Sequence, residues 1–145
     1  GCPRDGERIA RHDRLRDVIF NSASKAALSP VLEKANLTDL DLARGIYSCP
    51  AGLPVALDVT VISSLQPCTL INAGVTAGHA LGVADERKFS KHLAACTVAG
   101  ISFFPLSVEV LGGWSPVARK HLCRIASMSA ARAAGGNPRW AAPYL

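Results

Sequence analysis

The sequence predicts a single α/β domain in which helices pack on a small mixed sheet. Its length of 145 residues suits one domain with a core of its own. A hydrophobic content of 49% with 19% charged residues is typical of a folded chain. Helix-like and strand-like patterns alternate in the order helix, strands, helix, strand, helix, which indicates an α/β sandwich. No apolar run approaches the roughly 18 residues of a membrane span, so we expect no membrane association.

The first half of the chain begins with an amphipathic helix predicted over residues 12–28. The predicted core face of this helix consists of Leu15, Val18, Ile19, Ser22, Ala23 and Ala26. Residues 29–41 are predicted to be a connection or a short strand, and Gly and Pro signals over 42–54 favour a hairpin loop.

Residues 55–62 are predicted to form a strand by their period-two alternation. Its two faces are Val55, Leu57, Val59 and Val61 on one side, and Ala56, Asp58, Thr60 and Ile62 on the other.

The second half continues with a small-residue stretch over 72–84, which is predicted to be loop and helix. A helix is predicted over 85–100, ended by Gly100, with Phe89, Leu93 and Cys96 on its core face and Lys88, Lys91 and His92 on another side. A second buried strand is predicted over 101–113, with Glu109 near its end. Ser115 and Pro116 predict the start of a last helix, which Gly135 and Gly136 would end.

These elements place the folded domain at residues 12–135. Residues 1–11 are then the end of an upstream segment, and residues 136–145 are a C-terminal tail. The five cysteines form no CxxC pair and are odd in number, which favours reduced thiols and an intracellular setting. We expect Cys49, Cys68, Cys96 and Cys123 to pack in the core.

The positive charge is concentrated near the C-terminal end. The formal net charge is +5, and no acidic residue follows Glu109. The basic residues beyond that point are Arg119, Lys120, Arg124, Arg132 and Arg139. A one-signed stretch of this kind is the electrostatic footprint of a polyanion binder, although a solvated helix face would have the same composition.

Asp58 interrupts an otherwise apolar strand, and a buried carboxylate needs a partner or a cation. If a strand over 37–42 pairs with residues 55–62, Asp41 and Asp58 lie close, and two close carboxylates favour a shared cation such as Mg²⁺. Lys88 or Lys91 would orient an attacking water, which gives a hydrolytic site. Alternatively, Asp58 is a strand-end carboxylate that pairs with an Arg or caps a loop.

Four phrases carry a family resemblance: "IARHDRLRDVIFNSA", "VALDVTVISSLQP", "FSKHLAAC" and "FFPLSVEVLGGWSPVA". Together with the order Glu33, Asp41, Asp58 and a Lys-bearing helix, they resemble the PD-(D/E)xK, or restriction-endonuclease-like, superfamily. More closely, the chain is similar to the C-terminal endonuclease region of non-LTR retrotransposon reverse transcriptase polyproteins. The similarity spans about residues 2 to 130.

This resemblance implies a restriction-endonuclease-like three-layer sandwich, with a small mixed sheet flanked by helices. It also implies a Mg²⁺- or Mn²⁺-dependent endonuclease that nicks target DNA for insertion of a retroelement, in the nucleus and beside a reverse transcriptase. In that site Asp41 and Asp58 bind metal and Glu33 assists. The family's Lys is expected two residues after Asp58, where this chain has Thr60.

Two alternatives remain open within the resemblance. Asp39 competes with Asp41 for the first acid, and the missing Lys is replaced either by Lys88 or Lys91 or not at all. In the last case the chain is an inactive nucleic-acid-binding or scaffold module of the same fold. The residues implied for nucleic-acid binding are Arg119, Lys120, Arg124 and Arg132. Cys2 resembles the last ligand of an upstream zinc knuckle.

Overall fold

The computed structural model describes residues 3–31, 46–48 and 54–136. The elements in this part of the chain are α1 (Pro3–Lys25), β1 (Ile46–Ser48), β2 (Pro54–Ile62), α2 (Leu70–Val75), α3 (His79–Val98), β3 (Ser102–Glu109) and α4 (Pro116–Ala133). The predicted mixed α/β class, with a small sheet and helices around it, is confirmed.

Strand β2 lies in the middle of the described sheet, whose order is β1-β2-β3. Strand β1 pairs with β2 antiparallel, and β3 pairs with β2 parallel. Asp58 therefore sits opposite Pro105, and Thr60 opposite Ser107. Because α3 connects two parallel strands, it must run back along the sheet, antiparallel to both.

The period-two alternation of β2 gives the sheet two different faces. Val55, Leu57 and Val59 join a core cluster with side chains of α1 and α4. Ala56 joins a second cluster with Cys96 of α3 and Phe103 of β3. Helices therefore cover both faces of the sheet, and Asp58 and Thr60 share the face of Ala56, as the alternation predicts.

The predicted start of the first helix at residue 12 is wrong. Helix α1 begins at Pro3, so it runs through the predicted boundary between residues 11 and 12. Its first turns are rich in charged residues and lack an apolar stripe, so periodicity did not reveal them. Val18 was also placed wrongly in the core, because its side chain is 61% exposed whereas Ile19 and Ala23 are buried.

Two further boundaries differ from the prediction. Residues 46–48, within the predicted hairpin loop, form strand β1, because they pair with β2. Helix α3 begins at His79, and its predicted core residue Leu93 is exposed. Gly100 adopts a φ of 69° just after this helix, which explains why it stops there.

Helix α4 begins and ends as predicted. The Ser115 side chain accepts a hydrogen bond from the Ala118 backbone N–H at 3.1 Å, and Pro116 occupies the first turn. Gly135, at φ 77°, follows its last turn. None of the helices in the described ranges is long and apolar enough to cross a membrane.

Candidate functional site

Asp58 lies in the central strand with only 5% of its surface exposed. Its neighbours along the strand, Leu57 and Val59, are buried and apolar, so the carboxylate needs a partner. Lys88 of α3 supplies one: its Nζ lies 2.7 Å from Asp58 Oδ2. The Lys88 side chain is 27% exposed, so the ion pair reaches from the protein interior toward solvent.

His92 lies one helical turn beyond Lys88 and faces the same carboxylate. Its Nε2 is 3.9 Å from Asp58 Oδ2, which is too long for a hydrogen bond. The imidazole packs against Phe103, with ring centroids 5.4 Å apart, and the residue is buried. Asp58 is therefore approached from α3 by one ammonium group and one imidazole.

The same sheet face carries further buried polar atoms beyond Asp58. Thr60 Oγ1 and Ser107 Oγ, from paired positions of β2 and β3, are buried and have no hydrogen-bond partner in the described part of the chain. Asp85 Oδ1, on α3, is also buried and has no hydrogen-bond partner among the described residues. We call this surface the polar face; it consists of Asp58, Thr60, Ser107, Asp85, Lys88 and His92.

The structure brings two of the predicted catalytic residues together, Asp58 and Lys88. Lys91 is exposed on α3. Asp41 and Glu33 lie outside the described residues, as does Asp39, so the predicted approach of Asp41 to Asp58 stays a prediction. Among the described residues, Asp58 pairs with Lys88 rather than with an Arg, and it lies in mid-strand rather than at a strand end.

The predicted core face of α3 is right for Cys96, which is buried, and for Phe89, which packs against the same cluster, but wrong for Leu93, which is exposed. Lys88 and His92 were placed away from the core, but they face the sheet together with Leu81, Asp85 and Cys96. The error arose because the sheet is itself polar at this point, so the buried stripe of the helix is not apolar. The positions 81, 85, 88, 92 and 96 are three or four residues apart and therefore lie on one face of the helix. This spacing alone, whatever the polarity of the residues, indicates that Asp85 and His92 share the buried face. No local signal marked Ser107.

The basic residues of α4 are mostly solvated. Arg119, Lys120 and Arg132 are exposed, and Arg124 is half-buried. His121 lies among them but is buried, with its ring 3.7 Å from that of Phe104 between centroids. Burial, followed by the charges of Lys120 and Arg124, lowers the pKa of His121 to about 4. This imidazole is therefore neutral at pH 7.

The cysteines divide between core and surface. Cys96 is buried, which raises the pKa of its thiol. Cys68 and Cys123 are exposed, so their predicted place in the core is wrong. Cys49 and Cys2 lie outside the described residues. His12, in α1, lies 3.2 Å from Asp13 Oδ1 through its Nδ1.

The donors near Asp58 suit a hard cation. Carboxylate and hydroxyl oxygens are the ligands that Mg²⁺ prefers, and Thr60, Ser107 and Asp85 each leave one without a partner. In the described ranges, no three His, Cys, Asp or Glu side chains come close enough to hold one ion together. An ion at Asp58 would therefore need Asp41, hydroxyl groups or water as additional ligands.

No protein-family model matches this chain, and no curated protein matches it. The functional assignment therefore depends on the chemistry of Asp58, Lys88 and the polar groups beside them.

Proposed function

We propose that this chain is a metal-dependent endonuclease domain that nicks DNA, built on a restriction-endonuclease-like fold. The observation that carries the proposal is the 2.7 Å contact between Lys88 Nζ and Asp58 Oδ2. In the resembled superfamily a Lys follows the second acid by two residues, and Thr60 stands there in this chain. Lys88 supplies an ammonium group from α3 instead.

Each residue has a distinct role in this proposal. Asp58 and Asp41 hold Mg²⁺ or Mn²⁺, which lowers the pKa of a water and offsets phosphate charge when bound. Lys88 donates a hydrogen bond to the attacking water or to a phosphate oxygen, and its partly buried position strengthens that interaction. Glu33 assists from outside the described residues. Thr60 offers a neutral hydroxyl and so cannot take the role of Lys88.

The rest of the molecule supports DNA as the substrate. Exposed Arg119, Lys120 and Arg132 on α4, with Arg124 beside them, would bind phosphates without reading sequence. The mixed α/β sheet, with an acid on its central strand and helices on both faces, is compatible with the proposed fold. We expect the domain to act in the nucleus as part of a polyprotein that also carries a reverse transcriptase.

Nicking of supercoiled plasmid DNA, with Mg²⁺ or Mn²⁺ and with EDTA, tests the proposal. We expect the wild-type chain to nick only with metal, and Asp58→Asn, which keeps the side-chain shape, to abolish nicking. Lys88→Met should lower the rate by about 100-fold, because it removes a charge that acts on the transition state. The matched control is Arg87→Met, which removes an exposed cation from the same helix and should leave the rate unchanged.

Other results would redirect or overturn the assignment. If Lys91→Met rather than Lys88→Met stops nicking, the displaced lysine is Lys91. A wild-type chain that binds DNA but never cuts it with either metal is an inactive nucleic-acid-binding module of the same fold. If it fails to bind DNA even at low salt, both functions are wrong.

A further inference from the structure

Three residues of the polar face have a buried side-chain oxygen without a hydrogen-bond partner among the described residues: Thr60, Ser107 and Asp85. Their positions along the strands and along α3 can be compared. Thr60 and Ser107 are paired across parallel strands, so their side chains are neighbours on the same face. Lys88 of α3 marks the level of Asp58 by its ion pair. Leu81 of α3 lies near Glu109, at the end of β3, because both side chains approach Gly113. A Cβ built on Gly113 would lie 3.7 Å from Leu81 Cδ1 and 3.2 Å from Glu109 Oε2.

Asp85 must therefore lie between those two levels. Asp85 lies between Leu81 and Lys88 on the side of α3 that faces the sheet. In the strands, Thr60 lies between Asp58 and Ile62, and its partner Ser107 lies between Pro105 and Glu109. A step of two residues along a strand is about 6.6 Å, which matches about four residues of helix. This spacing brings Asp85 to about the level of Thr60 and Ser107 on the side of the sheet that α3 covers.

Asp85 and Ser107 are deeply buried, so leaving their side-chain oxygens without hydrogen bonds costs free energy. Asp85 is 7% exposed and Ser107 is 0% exposed, yet each has a side-chain oxygen without a hydrogen-bond partner among the described residues. A buried polar group left unsatisfied costs about 1–3 kcal/mol, and a charged one costs more. Lys88, the cation one turn along the same stripe, is already bonded to Asp58.

We infer that Asp85, Thr60 and Ser107 form a second cation site, which takes a partly hydrated Mg²⁺ or Mn²⁺. Its donors are all oxygen. A carboxylate and a hydroxyl group also bind Mg²⁺ in P-loop NTPases, where phosphate oxygens and water complete the shell; here water would complete it. The site is separate in its residues from Asp58 and Asp41. It does not require the proposed nuclease activity, so it stands or fails independently.

Titration of the purified chain with Mn²⁺, followed by electron paramagnetic resonance of the free ion, tests the inference. We expect Asp85→Asn to lose one bound Mn²⁺ relative to wild type, and Ser107→Ala to weaken that ion by about tenfold. The matched control is Glu86→Gln, which removes the same charge from the next, exposed residue of α3 and should bind as wild type does. Asp58→Asn should retain the ion.

Equal Mn²⁺ binding by wild type and Asp85→Asn would overturn the inference, because the Asp85 carboxylate would then hold no ion. Loss of all Mn²⁺ in Asp58→Asn alone would overturn it as well, since the ion would belong to Asp58. If Asp85→Asn does not fold, Ser107→Ala decides in the same way. A chain that binds this Mn²⁺ but cuts no DNA refutes the nuclease and leaves the cation site intact.

Discussion

The two faces of the sheet are built from the same strands but have opposite chemistry. Toward α1 and α4, β2 and β3 present Leu57, Val59 and Leu106, which form an ordinary apolar core. Toward α3, the same strands present the polar face, with Asp58 and Ser107 among its buried groups. Apolar burial is the main source of folding stability, whereas buried polar groups contribute little or cost free energy. The comparison indicates that the apolar face supplies most of the folding stability, and that the polar face is where the proposed function is to be tested.

The largest expected effect lies on the apolar face. Leu106 is 0% exposed in the centre of that core. Leu106→Ala should lower the free energy of unfolding by about 3 kcal/mol, because it removes buried methyl groups and leaves a cavity. Urea denaturation measures this change. Leu111→Ala is the control, since Leu111 is 74% exposed and its loss should matter little. Similar losses in both variants would contradict the position of the core.

The Asp58–Lys88 pair tests whether the polar face contributes stability of its own. Asp58→Leu alone should cost about 2 kcal/mol, because Lys88 then loses its partner in a half-buried place. Combining it with Lys88→Met should restore most of that loss, since an apolar pair of similar size replaces a desolvated ion pair. Chemical denaturation of both variants measures the difference. A double variant as unstable as the single one would show that the pair stabilises the fold.

His121 makes the α4 side of the molecule sensitive to acid. Its pKa is about 4 when folded against an ordinary value of 6.5, so the unfolded chain binds the proton more readily. Stability should therefore be unaffected by this group above pH 6.5 and fall as the pH drops from 6.5 toward 4. After allowance for screening by water, the loss is about 2 kcal/mol.

Unfolding measured at pH 7 and near pH 4.5 in wild type and His121→Phe tests this prediction. Phenylalanine keeps a ring against Phe104 but does not titrate, so the variant should lose less stability in acid than wild type does. His79→Phe is the control, because His79 lies at the start of α3 and is only partly buried. This variant should lose as much stability in acid as wild type does. Identical acid sensitivity in wild type and His121→Phe would contradict the lowered pKa.

Much of the fold could be predicted because its signals are local. The alternation of β2 assigned both sheet faces, and Ser115, Pro116 and Gly135 fixed the ends of α4. Strand β1 could not be predicted in the same way. Its three residues lie among Gly and Pro turn signals, and only their pairing with β2 makes them a strand.

The candidate site was less predictable, because its burial depends on residues far apart in sequence. The sequence predicts a role for Asp58 because it is an acid among apolar residues, and for Lys88 because it is a cation on a following helix. Asp85 and Ser107 look like ordinary surface residues in the sequence, since a polar residue on a helix or near a strand end is commonly solvated. The register of β2 with β3 and the buried side of α3 bring both residues into the interior between the helix and the sheet.

Exchanges of Thr and Val in β2 have the smallest expected effect. They compare the two faces most directly, because they use one strand and the same two residue types on each face. Thr60→Val removes a buried hydroxyl that lacks a partner, while Val59→Thr inserts one on the apolar face. In EDTA, the first should raise the free energy of unfolding by about 1 kcal/mol and the second should lower it by a similar amount. With Mg²⁺ present, the stability of wild type should rise toward that of Thr60→Val, since the proposed ion binds more tightly to the chain that has the Thr60 oxygen. Destabilisation by Thr60→Val without any metal would mean that the hydroxyl has a partner within the chain, and the contrast between the faces would then depend on the other residues of the polar face.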